Sequence, residues 1–379
     1  MKIFIFTEFY YPNLVSSGYY LTKVAEHLSL TNDVTVITTG DNSFATINNV
    51  KVFRIKTKPF NKHNLFKRAF AFVRISLSFY NHAVKLNINK NDNVFCVTNP
   101  ALFIPVIALL KKKINFKLTI LVHDVFPENL VATNIISNKN PIYQILLWLY
   151  NKSYEKSDQI IVCGRDMKLL FQKKLNKFNG TIKFIPNWAD TKSVYPNSSN
   201  KNKQLIFQYA GNIGRAQGIP NLIEAVAHNK SLDFELHFYG KGPLLKKIID
   251  LNISNIIYKG TFTRKESNKY LNLCDVAIVT LEKKMLGLGV PSKTYNILSA
   301  GKPIFYIGDK DSEISILVNE FKVGYSVEPE NNYKIIEGLK WFLNLTEKQL
   351  DILKSNSRKL AVQHFSEEKV LTQYSESIK

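Results

Sequence analysis

Short apolar runs recur along the chain, separated by longer stretches in which apolar residues return every three or four positions. The short runs read as buried strands and the longer stretches as amphipathic helices. Their alternation predicts parallel sheets in an α/β protein. In the first half, strands fall at 2–7 (KIFIFT), 33–39 (DVTVITT), 50–56 (VKVFRIK), 93–100 (NVFCVTNP), 117–124 (KLTILVHD) and 159–166 (QIIVCGRD). A helix over 18–30 places Leu21, Val24, Ala25 and Leu28 on one face. In the second half, strands fall at 205–212, 234–242, 255–261, 276–281 and 302–309, with helices at 220–229 and 292–301 between them.

A chain of 379 residues predicts two domains. The stretch 185–204, rich in Pro, Asn and Ser, is the expected linker. The expected division is 1–190 and 191–362, each Rossmann-like. A helix within 363–379, starting near Ser366, then crosses back onto the first domain. There is no short-period repeat; what is duplicated is the architecture, two βαβ halves facing a cleft. Ligands of such folds bind outside the carboxyl ends of the strands, so the loops after the strands are where chemistry is sought.

Apolar residues make up 45% of the chain, which suffices for a core in each half and excludes a disordered protein. Lys and Arg number 51 against 30 Asp and Glu, a net charge of +21. That excess predicts an anionic partner: nucleic acid, anionic lipid or a phosphorylated substrate. Cys96, Cys163 and Cys274 lie far apart in or beside apolar runs and read as inert buried thiols, not a disulfide or zinc set. The N-terminal MKIFIFTEFYYP reads as a strand and not a signal peptide, because Glu8 interrupts it. No run reaches the ~18–20 apolar residues of a spanning helix. A soluble or peripheral protein of the reducing cytoplasm is expected. The segment 60–86 carries Phe66, Phe70, Val73, Leu77 and Tyr80 at helical spacing among Lys62, Lys67, Arg68, Arg74 and Lys85. It fits either an ordinary Rossmann helix burying that stripe or a helix lying on an anionic membrane, and LLKKKINFK (109–117) adds to the charge.

Several loops carry candidate chemistry. Gly18 sits before a helix, where backbone N–H groups can approach a phosphate or merely turn the chain. His123, Asp124 and Glu128 crowd the end of a buried strand, and a histidine there either orients a substrate or is structural. Gly211, Gly214 and Gly218 mark a strand–loop–helix, to which Asn212, Arg215 and Gln217 add donors; Arg215 can grip phosphate in a fork. Gly240 opens a Gly-Lys-Gly-Pro turn that fits a wall for a nucleobase or a plain turn. In VPSKTYNILSAGKP, Ser292 is a plausible N-cap. Lys293 then stands in the first turn, where the helix dipole disfavours a cation. A phosphate paired with Lys293 and the N–H groups of Thr294 and Tyr295 resolves that conflict. Asp309 and Asp311 form a DxD pair that reads as a loop or capping element, and no other metal constellation is evident.

Together FTEFYYPNLVSSG, LVHDVFPENL, IPNWAD, YAGNIGRAQGI, VPSKTYNILSAGKPI and YIGDKDSEI span nearly the whole chain in order, and in them it resembles a retaining GT-B glycosyltransferase of family four. The look is nearest to bacterial enzymes of O-antigen, capsule and colanic-acid assembly. The resemblance implies an α/β protein whose second domain holds a nucleoside-diphosphate sugar, UDP-linked, and whose first domain holds a polyprenyl-diphosphate-linked acceptor. It also implies transfer with retention, no metal or other cofactor, and a place on the inner face of the cytoplasmic membrane. Gly18 matches the family's diphosphate-contacting loop and His123 its acceptor-side histidine. The chain departs from the pattern where neutral Asn212 and Gln217 replace Arg and Lys, and where Leu288 and Asn296 replace a Glu-x7-Glu pair. Asn296 can still hydrogen-bond a ribose hydroxyl; Leu288 cannot contact a sugar as a glutamate does. The alternative set resembles a branch that often transfers N-acetyl-L-fucosamine. Two rivals are a nucleotide-sugar 2-epimerase of the same fold, which needs cleft carboxylates, and a basic nucleic-acid-binding protein, for which no recognised motif appears.

Overall fold

The computed structural model describes residues 1–13, 16–41, 43–57, 65–197, 204–229 and 231–378. Lys62 of the basic segment and 198–203 of the expected linker lie outside them. Two compact units emerge: Met1–Ile185 with Leu371–Lys379, and Pro186–Val370.

The first unit opens with β1 (Lys2–Phe6), α1 (Ser16–Leu28), β2 (Asp33–Gly40), β3 (Phe44–Ile47) and β4 (Val50–Lys56). It continues through α2 (Leu65–Lys85), β5 (Asn93–Val97), α3 (Phe103–Ile114), β6 (Lys117–Val122), α4 (Glu128–Ala132) and α5 (Pro141–Tyr154). β7 (Gln159–Val162), α6 (Arg165–Lys174) and β8 (Thr181–Phe184) complete it. The strands form one eight-stranded sheet, β3-β4-β2-β1-β5-β6-β7-β8, parallel except for the β3–β4 pair. Phe6 of β1 meets Phe79 of α2 and Phe103 of α3 with ring centroids 5.9 and 4.9 Å apart. Each such ring taken from water contributes roughly 1.5–3 kcal/mol.

The outcome for α2 separates its two apolar stripes. Ala71, Ile75, Phe79 and Ala83 are buried, while Phe70, Val73 and Leu77 are exposed. The buried stripe puts small alanines at two of its four positions, which lets the helix lie close to its neighbours. The more conspicuous stripe in the sequence is therefore the outer one.

The second unit runs β9 (Leu205–Ala210), α7 (Ile219–Ala227), β10 (Phe234–Tyr239), α8 (Leu245–Asp250), β11 (Ile256–Tyr258) and α9 (Ser267–Leu271). It proceeds through β12 (Val276–Thr280), α10 (Lys293–Ser299), β13 (Ile304–Ile307), α11 (Glu313–Phe321), β14 (Gly324–Val327), α12 (Asn332–Leu343) and α13 (Glu347–His364). Its six strands are all parallel, in the order β11-β10-β9-β12-β13-β14. Phe207, Tyr209, Leu236, Phe238, Ile278 and Phe305 on one face of this sheet share a core with α7 and α12. The last helix, α14 (Glu367–Ser377), begins in the second unit, and its residues from Leu371 belong to the first. Tyr374 of α14 packs on Phe95 of β5 at 6.4 Å, and Ser377 donates to Gln159 of β7.

Both sheets reverse their winding at a central strand. β1 lies between β2 and β5, and β9 between β10 and β12. Those switch points are where open α/β sheets place ligands, beyond the carboxyl ends of the strands. The loops after β1, β9 and β12 are therefore the ones positioned for chemistry.

Candidate functional site

In the second unit, β9 and β10 end in glycines that keep the two loops laddered. The Gly211 N–H donates to the Tyr239 carbonyl and the Ile213 N–H to that of Lys241, both at 2.9 Å. Gly240 has φ +140°, and a Cβ there would stand 1.8 Å from the Gly211 carbonyl oxygen. Gly240 is thus required by the close backbone approach between the two loops. Gly214 lies under the side chains of Asn212 and Gln217, 2.7 and 2.6 Å from where its Cβ would be. Asn212 and Arg215 are exposed, Arg215 opening a 3-10 turn over Arg215–Gln217. The Gln217 Oε1 is buried with no hydrogen-bond partner.

Lys293 opens α10, and its ammonium is turned inward. Its Nζ lies 3.5 Å from the centroid of the Tyr209 ring and 3.4 Å from where a Gly211 Cβ would stand. The Tyr209 hydroxyl is held by the Asn212 carbonyl at 2.6 Å, which fixes the ring beneath the lysine. The ring face attracts the cation, but the Nζ is buried with no hydrogen-bond partner. Burial lowers its pKa to about 7. A cation held this way costs the folded state stability, because the low-dielectric surroundings disfavour the charge. That cost is full below about pH 7 and fades as pH rises toward the ordinary lysine range. An anion arriving at Nζ would remove it. The Thr294 Oγ1, beside it at the start of α10, is also buried without a partner.

The rest of α10 is spoken for. Ser292 occupies the N-cap position in helical geometry and makes no side-chain capping bond, contrary to the expected cap. Tyr295 is fully buried, its ring edge-on to Phe365 at 5.1 Å. Its side chain is thus a core element, leaving only its backbone to the expected role. Asn296 accepts the Asp190 N–H at 2.9 Å, so its oxygen ties the IPNWAD segment to α10. Arg358 of α13 donates to the carbonyls of Thr191, Val194 and Ser299, extending the tie. Leu288 is buried. The Asp309 carboxylate accepts the Asp311 N–H at 2.9 Å, closing the turn before α11.

Sequence reading passed over two residues here. Tyr209, on an ordinary-looking strand, forms the floor under Lys293. Glu282 follows β12 and is half-buried, with its Oε1 3.6 Å from where a Gly218 Cβ would stand. Burial raises its carboxyl. It is a carboxylate beside the glycine loop, though not at a Glu-x7-Glu position.

In the first unit, Gly18 lies inside the first turn of α1 and not in the loop before it. A Cβ there would stand 2.3 Å from the Asn13 carbonyl oxygen, so the chain's own backbone occupies the space the glycine leaves. His123 follows β6, edge-on to Tyr20 of α1 at 6.4 Å. Its Nε2 is buried with no hydrogen-bond partner, and burial lowers its pKa to about 4, which keeps it neutral at pH 7. Asp124 retains accessible surface, yet desolvation by the surrounding protein raises its carboxyl. Glu128 is ion-paired with Lys174 of α6, and that pair sits against Tyr154 and Phe171. It pins α4 to α6.

Two open, largely parallel α/β units, the second with a glycine loop after its switch-point strand, define the fold class. Residues 17–193 match the model for Glycosyltransferase Family 4, and residues 191–360 that for Glycosyl transferases group 1. The chain is 34% identical over 349 residues to the probable glycosyltransferase WbjE of Pseudomonas aeruginosa, covering 87% of this chain and 86% of WbjE. It is 25% identical over 214 residues to the putative colanic acid biosynthesis glycosyl transferase WcaI of Escherichia coli (strain K12), covering 52% of this chain and 51% of WcaI. Among solved structures, sucrose-phosphate synthase from Thermosynechococcus elongatus superposes with a TM-score of 0.79 at 14% identity, over 100% of this chain and 98% of that one. Anabaena HepE, solved in complex with UDP, gives 0.69 at 15% identity, over 100% and 99%. The chain belongs to the glycosyltransferases, with the GT-B fold.

Proposed function

We propose that the enzyme transfers a sugar, with retention, from a UDP-linked donor to a polyprenyl-diphosphate-linked acceptor in surface-polysaccharide assembly. The observation that carries this is the Lys293 ammonium, buried over Tyr209 with no hydrogen-bond partner among the described residues. In such a transfer the bond between the anomeric carbon and the donor phosphate breaks, and the nucleoside diphosphate leaves with added negative charge. Preorganised donors at the leaving group supply the largest catalytic contribution in reactions of this kind. Lys293 and the exposed Arg215 are suited to it. The acceptor oxygen forms the new bond, and its proton passes to the leaving phosphate. His123, neutral at pH 7, is suited to orient the transferred sugar by hydrogen bonding, and no protein nucleophile is assigned.

The UDP donor is supported by the UDP complex of HepE, and the surface-polysaccharide role by the description of WcaI. N-acetyl-L-fucosamine is the first donor sugar to try, given the neutral replacements Asn212 and Gln217. The test is a screen of nucleotide sugars against a polyprenyl-diphosphate-linked sugar, with and without EDTA, followed by NMR of the product. Acceptor-dependent release of UDP, persistence in EDTA and an anomeric configuration matching the donor are expected. An inverted product would contradict retention. A donor altered without any acceptor would instead support an epimerase.

A further inference from the structure

On the first unit, α2 packs beside α3, and α3 beside α5. The outer faces of these three neighbours are apolar where a soluble protein is ordinarily polar. On α2, Phe70, Val73, Leu77 and Val84 are exposed, Phe70 at 69%. At 3.6 residues per turn they fall within about 60° of the helix circumference, opposite the buried Ala71, Ile75, Phe79 and Ala83. On α3, Leu109 is exposed, and on α5 Ile142, Ile145 and Trp148 are each more than 60% exposed.

Charge completes the pattern. The 21, 12 and 14 residues of α2, α3 and α5 contain no Asp or Glu. They contain Lys67, Arg68, Arg74 and Lys85 on α2, Lys111 to Lys113 on α3, and Lys152 on α5. Lys111 is taken by Asp158, but Lys112 and Lys113 are exposed beside Leu109. By helical spacing, Lys67, Arg74 and Lys85 run together along one flank of the α2 stripe. Even with Lys152 paired to Glu155, an apolar face with such a basic border is complementary to an anionic bilayer, whose headgroups attract the cations while its interior accepts the apolar side chains. A tryptophan at the rim suits the interfacial zone, where its ring is half in hydrocarbon and its N–H in water.

We propose that the α2–α3–α5 face is a membrane-docking surface that seats on anionic phospholipid, with Trp148 and Ile145 of α5 inserting beside the Phe70–Leu77 stripe of α2. The α5 contribution has no counterpart in the basic segment of the sequence. Docking and sugar transfer are read by different assays, so failure of one does not decide the other.

The full-length protein is floated with vesicles of equal phosphatidylglycerol and phosphatidylethanolamine, and with neutral phosphatidylcholine vesicles. Binding to the anionic vesicles is expected, with loss of at least about tenfold as salt rises from about 0.1 to 0.5 M. Trp188 is buried and Trp341 is stacked on Tyr325, which leaves Trp148 as the exposed indole. Its emission is expected to shift to the blue on binding and to be quenched by brominated lipid. The variant Trp148→Ser/Ile145→Ser, and separately Phe70→Ser/Leu77→Ser, are expected to lower vesicle affinity at least about fivefold with unchanged thermal midpoints. Equal flotation with neutral vesicles, unquenched Trp148, or variants that float like the parent would overturn the proposal. So would a dimer in sedimentation velocity that both variants abolish while vesicle binding is absent.

Discussion

Lys174 in the first unit and Lys293 in the second solve the same physical problem in opposite ways. Both bury a lysine ammonium against aromatic rings, Lys174 over Tyr154 and Phe171 and Lys293 over Tyr209. Burial lowers the pKa of both. Lys174 has Glu128 as counter-ion, which opposes that shift. Among the described residues, Lys293 has no carboxylate in ion-pair range and no hydrogen-bond partner. A third buried lysine, Lys302, donates to the carbonyls of Asn272 and Cys274. The contrast separates structural cations from the one proposed to meet a ligand, on the ground that charge buried without compensation marks a candidate site.

The comparison can be broken from either side, most forcefully through the ion pair. If Lys174 is structural, Glu128→Gln should destabilise the protein by about 3 kcal/mol in urea unfolding, because it leaves a buried cation alone. Adding Lys174→Met should restore most of the loss. An undiminished midpoint in the single variant would mean that the pair is solvated and the contrast with Lys293 false. A smaller effect is expected at Asn296. If its oxygen serves Asp190, Asn296→Ala should cost about 1 kcal/mol and leave the donor KM within about threefold. A KM rise beyond about tenfold at unchanged stability would return Asn296 to the donor.

Much of this was legible in the chain itself. Parallel α/β halves, the glycine loops and the dipole conflict at Lys293 follow from local pattern. What was not legible depends on distant partners. Asp190 lies 106 residues from Asn296, and Glu128 lies 46 from Lys174; neither spacing leaves a trace in a local window. β3, β8 and β14 are short and only partly buried, so no continuous apolar run marks them as one marks the equally short β7 and β13. On α2 the sequence held two apolar stripes, and periodicity alone cannot say which one meets the sheet. Tyr209 looked like one more strand aromatic, because only the fold of the 211–214 loop brings Lys293 over it.

The most direct test of the central claim is calorimetry of UDP binding between pH 7 and 9, in buffers of different ionisation enthalpy, with the parent protein and Lys293→Met. With its pKa near 7 in the free protein, Lys293 is increasingly neutral across that range and must be recharged when a diphosphate binds. The account predicts proton uptake on binding, an affinity that falls by up to about tenfold per pH unit, and loss of both in Lys293→Met together with at least about tenfold weaker binding at pH 7. Binding by Lys293→Met equal to that of the parent, with no proton uptake in either, would contradict it.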